Sequence, residues 1–146
     1  MLPDKPSEML PDKPSEMLPD KPSEMLKVAL NDLRACEGDH NYRVEMGVWY
    51  KRQHGVCSVC LAGAVMAKSL HITDGGYRCP SEYKPHDSKL RFLNYVREGN
   101  LDYAFIELGL RKPTVLPNAV EVAGYGEPGF YKDMRNLVMI FEELGI

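Results

Sequence analysis

DSKLRFLNYVREGNLDYAFIELG, residues 87–109, sets the fold class. Leu90, Leu93 and Val96 recur at helical spacing behind the capping residues Asp87 or Ser88, and Gly99-Asn100 ends the stripe. A second stripe follows at once, Leu101, Ala104, Phe105 and Leu108, stopping at Gly109 ahead of Pro113. Two short amphipathic helices joined by a glycine turn need further helices to cover their apolar faces, and the rest of the chain supplies them. Leu26, Ala29, Leu30 and Leu33 form one stripe, with Asp20 or Ser23 as its cap and Gly38 just past its end. Cys57, Cys60, Leu61, Ala64 and Val65 form another, and Tyr131, Met134, Leu137, Val138, Phe141 and Leu144 form the last. Val44 to Tyr50 and Val115 to Ala123 are the two strand candidates, weakened by Gly47 and Pro117. The expectation is a mainly α, small single-domain fold of about five helices with at most a minor β element.

Upstream lies the octapeptide MLPDKPSE three times over, at residues 1–8, 9–16 and 17–24, and Met25-Leu26 opens a fourth copy that diverges at Lys27. Such identity points to in-frame slippage of a coding unit, and each Met is a usable start. Two prolines per unit favour an extended polyproline arm, with a PxxP ligand or an arm laid on a neighbouring subunit as alternatives. The domain boundary is drawn accordingly: residues 1–24 as tail, residues 25–146 as one helical domain.

The three copies hold three of the 18 basic and six of the 21 acidic residues, so they carry the whole formal charge of −3. The remaining chain is balanced and has no dense Lys/Arg cluster, which argues against nucleic-acid binding by bulk electrostatics. No apolar run approaches the roughly 18 to 20 residues that span a bilayer, and the start lacks the order of a secretion signal. The expected location is the cytoplasm, where four cysteines favour thiols or a metal site over disulfides.

Met46-Gly47-Val48-Trp49, the Cys57-Ser58-Val59-Cys60 start and the Leu61-Ala62-Gly63-Ala64 run together resemble the signature of a broad group of small phage, prophage and bacterial proteins. The resemblance spans roughly residues 26–108 and extends to the helix ending at Arg97-Glu98-Gly99 and the next opening at Leu101-Asp102. The resemblance carries over no established activity and implies only a phage or prophage origin, with the host cytoplasm as the location. The lack of a coherent catalytic set points to an accessory protein that acts by binding, with a host protein or self-association as the partner.

On the residues alone, Cys57 and Cys60 are expected on one helix face with Leu61 and Ala64, as small apolar packing groups. Zinc is the alternative cofactor, with Cys57, Cys60, Cys79 and His86 as the ligand candidates and His71 as a substitute. A redox Cys-x-x-Cys needs a βαβ frame that is not evident. The segment Cys57 to Ala62 faintly resembles the nucleophile segment of papain-like proteases, but those place their histidine more than about 100 residues downstream and the last histidine here is His86. His54 or His71 would be the base for any thiol enzyme. Trp49 is expected as a core anchor.

Overall fold

Pro22 takes the first helical position of α1 (Pro22–Glu37), where its fixed φ suits the helix and its missing N–H costs nothing. The computed structural model describes residues 18–46, 50–69 and 88–146. The expected stripe Leu26, Ala29, Leu30 and Leu33 is buried, and Met25 and Cys36 extend it at both ends. The cap is not as expected: Lys21 occupies that position without a side-chain bond, Ser23 is buried within the first turn, and the Asp20 carboxylate instead accepts from Lys89 Nζ at 2.8 Å. Gly38 closes the helix, its N–H donating to Arg34 O.

Three short strands follow: β1 (Tyr42–Val44), β2 (Tyr50–Gln53) and β3 (Val56–Val59). β3 is central, parallel to β1 and antiparallel to β2. His54 (φ 53°) and Gly55 (φ 81°) make the two-residue turn between β2 and β3, with both central residues at the positive φ that matches hairpin twist. Of the expected strand over Val44 to Tyr50, Val44 ends β1 and Tyr50 opens β2, Glu45 and Met46 lie outside both, and residues 47–49 fall outside the described residues. β3 runs through Cys60 directly into α2 (Leu61–Lys68), a helix buried from Leu61 to Ala67 whose small residues allow α1 and α3 to pack against it.

α3 (Ser88–Arg97) and α4 (Leu101–Leu108) are the pair that opened the sequence reading, and Asn100 caps α4, its Oδ1 accepting from Tyr103 N at 3.1 Å. Val115 to Ala123 does not form the expected strand; Asn118 O accepts from Leu101 N and Asp102 N, Val120 N donates to Gly99 O, and a single bridge pairs Asn100 with Ala119. Pro117 has no N–H to give a ladder, so the segment clamps the α3–α4 corner instead. α5 (Phe130–Glu143) buries Met134, Leu137, Val138 and Phe141 against α1 and the core. Phe92, Phe105 and Phe141 join α3, α4 and α5 edge to face, each pair with ring centroids 5.8 Å apart. The fold is mainly α, with five helices and a minor β element among the described residues. None of those helices is long and apolar enough to cross a membrane.

The reading of residues 1–17 as an extended arm, and of Trp49 as an anchor, falls outside the described residues. Within them, α1 begins inside the third octapeptide, Leu18 is only 5% exposed, and Lys89 Nζ donates to Leu18 O at 3.0 Å. The copy next to the body is thus packed on it. Starting the chain at Met17 keeps Leu18, Asp20 and the whole of α1, and is expected to leave stability within about 0.5 kcal/mol of the full chain. Starting at Met25 removes the Leu18 side chain and the first turn of α1, and is expected to cost about 2 kcal/mol in urea denaturation. Equal stability of the two truncations would place the boundary at residue 25 after all.

Candidate functional site

The cysteine pair does not share a helix face. Cys57 lies in β3 at 4% exposure and Cys60 is the N-cap of α2 at 2%, its Sγ accepting from Gly63 N at 3.4 Å. A central strand buried on both sides shows no alternation, and it passes into a helix buried all round, so the run VCSVCLAGAVMA is apolar but for the buried Ser58 and has a character that a helix would also produce. Burial pushes the Cys60 thiol above its ordinary value, which disfavours the thiolate that nucleophilic or redox chemistry requires. His54 stands exposed in the hairpin turn, away from the buried environment of Cys57. Among the described residues no group of three or more His, Cys, Asp or Glu is placed to hold a metal. Cys79, His86 and His71 lie outside the described residues, and with them the second half of the proposed zinc set.

Cys36 was not singled out by motif, although it continues the α1 stripe three residues after Leu33. It is a free thiol, fully buried, and burial pushes it up to about 12. Tyr125 and Tyr131 are also raised, first by burial and then by donating their hydroxyls to the same Glu37 Oε2, the Tyr131 bond being 2.8 Å. All three groups hold their protons more tightly folded than unfolded. The contribution of Cys36 is therefore whole below pH 9 and is lost as pH rises from about 9 through 12, while that of the two tyrosines is whole up to about pH 10 and is lost only at higher pH still. Denaturant midpoints measured from pH 8 to 11 should fall in the wild type and fall less steeply in Cys36→Ala; parallel slopes would contradict the assignment for Cys36.

A different feature faces solvent. Lys27, Leu30, Asn31 and Arg34 lie on one face of α1 at i, i+3, i+4 and i+7, opposite Tyr131, Lys132, Arg135, Asn136, Val138 and Met139 of α5. Between them runs a groove of ≈ 570 Å³. Leu30 and Val138 are buried and make an apolar floor, while Met139 is 55% exposed at the side. Four cations and two asparagines form the rim. Of the carboxylates nearby, Glu142 pairs with Lys27 and Glu24 acts on it through space, while Glu37 accepts from the two tyrosines and Asp133 Oδ2 accepts from Ala123 N at 2.9 Å. The Arg34 guanidinium lies 3.8 Å over the Tyr131 ring, a cation–π contact that holds it beside the groove. Among the described residues Lys132 and Arg135 have no ion-pair partner, so two exposed cations stand beside an apolar floor. Such an arrangement suits a segment that presents carboxylates on either side of an apolar side chain.

No family model matches this sequence, and no curated protein or solved structure is detectably similar to it. The groove was not visible in the sequence because its residues are split between helices about 100 positions apart. The available signal was local: Lys132, Arg135 and Asn136 decorate the polar side of the last stripe.

Proposed function

We propose that this protein is a small, cytoplasmic, phage- or prophage-type accessory factor that acts by binding another protein, without catalysis. The groove between α1 and α5 carries this reading. It combines exposed cations lacking partners among the described residues with an apolar floor, which is the composition of a protein-binding surface rather than of a reaction centre. The burial of Cys57 and Cys60 supports it from the other side, since the cysteines that the motif offered for chemistry are only 4% and 2% exposed.

The surface along α4 is a smaller support. Tyr103 and Ile106 are exposed at i and i+3, with Leu110 and Val115 exposed beyond the end of the helix, and Ile106 is 61% exposed. Its charge is unmarked, so the groove is the better place to begin.

The test is capture from the host with the full chain as bait, comparing the wild type with Lys132→Glu/Arg135→Glu. Both side chains are exposed, so the double variant should fold and melt as the wild type does. Loss of the retained proteins by the double variant, at least tenfold by quantitative mass spectrometry, is expected. Retention of the same proteins at the same level would remove the groove from the account.

A further inference from the structure

We infer that the groove between α1 and α5 is a seat for the chain's own upstream octapeptides, residues 1–16, so that the tail competes with any foreign segment for the same surface. This rests on the reading of the groove as a protein-binding site and names its resident ligand.

Charge comes first. Each MLPDKPSE unit carries Asp and Glu against one Lys, and the whole net charge of the chain resides in these units. The groove offers the complement, with Lys132 and Arg135 unpaired among the described residues and Arg34 held over Tyr131. Apolar content comes second: each unit has a Met-Leu pair two residues before its Asp, matching a floor of Leu30 and Val138 flanked by cations. The third argument is a precedent within the same molecule. The copy at residues 17–24 buries its leucine, Leu18, while its aspartate, Asp20, pairs with a lysine that also takes the Leu18 carbonyl. One unit of this sequence therefore already docks by leucine burial plus an Asp–Lys contact, and the groove presents the same two requirements to the units upstream.

Reach favours occupation by the same chain. Lys27 lies five residues beyond Pro22, about 8 Å along α1, and a helix with its side chains is about 10–12 Å across. Sixteen residues in extended or polyproline form span about 50 Å. A tether of this length keeps the tail at an effective concentration in the millimolar range, enough to fill a weak site in cis.

The experiment is zero-length carbodiimide cross-linking of the full chain, read by peptide mass spectrometry. Expected is a monomer-mass product joining Asp4, Glu8, Asp12 or Glu16 to Lys132, several-fold more abundant than tail links to the other lysines. Arg135→Glu keeps the Lys132 reporter and should reduce that product at least fivefold, as should 0.5 M salt. Tail links spread evenly over the lysines, an Arg135→Glu yield equal to wild type, or a product found only at dimer mass would each overturn the inference. Failure here and failure of the binding reading are separable. If Arg135→Glu loses captured host proteins while the wild type shows no tail link to Lys132, the tail is excluded and the groove stands as a partner site. If the link forms but capture does not depend on Arg135, the tail seat stands and the foreign partner does not.

Discussion

Gly99→Ala is expected to destabilise the protein by about 4 kcal/mol, close to the upper end for a single methyl group added anywhere in a domain. Gly99 has φ +80°, and a Cβ built there would lie 2.1 Å from the Val120 carbonyl oxygen. The contact is with backbone, so no side-chain rotation relieves it. The Gly99–Val120 hydrogen bond, the Asn100–Ala119 bridge and the two bonds to Asn118 O all depend on that close approach. Urea denaturation of the variant should show the loss together with a weakened α3–α4 corner. A cost below about 1 kcal/mol would mean that the 118–120 strap moves away freely and is not a clamp.

Phe105→Ala should cost about 3–5 kcal/mol. The ring is buried at the centre of the Phe92–Phe105–Phe141 series, so its removal leaves a cavity between three helices and two aromatic edges without a partner. Phe105→Leu should recover most of the loss by refilling volume, which separates packing from the specific edge-to-face geometry. Equal costs for the two variants would assign the stabilisation to the ring contacts instead.

The helices were legible because four of them have one wet side. Leu26 to Leu33, Leu90 to Val96, Leu101 to Phe105 and Met134 to Phe141 each alternate at 3.6 residues because their opposite faces meet solvent. Where both faces are covered the period disappears. Cys57 to Ala67 shows this: strand and helix are equally buried throughout, and the join at Cys60 leaves no polar mark. His54-Gly55 was the local clue to the hairpin, two residues able to take positive φ placed between short β-prone runs. The Val115 to Ala123 segment failed for a different reason. Its residues suit a strand, but the partner it meets is a helix corner, and only tertiary packing decides that.

The site divides in the same way. Burial of Cys57 and Cys60 followed from their apolar neighbours, although the shared helix face did not. The groove depends on α1 and α5 lying side by side, and charges on the polar faces of two distant stripes do not reveal that they will meet.

Because α1 starts within the last octapeptide, the join between repeat and domain reads the same whatever number of units precedes it. Adding or deleting a whole unit regenerates an identical Leu18-to-Pro22 junction, so copy number at this end is free to drift without a folding penalty. What such drift alters is the number of acidic units carried per molecule, a length-encoded dial upstream of a junction that stays the same.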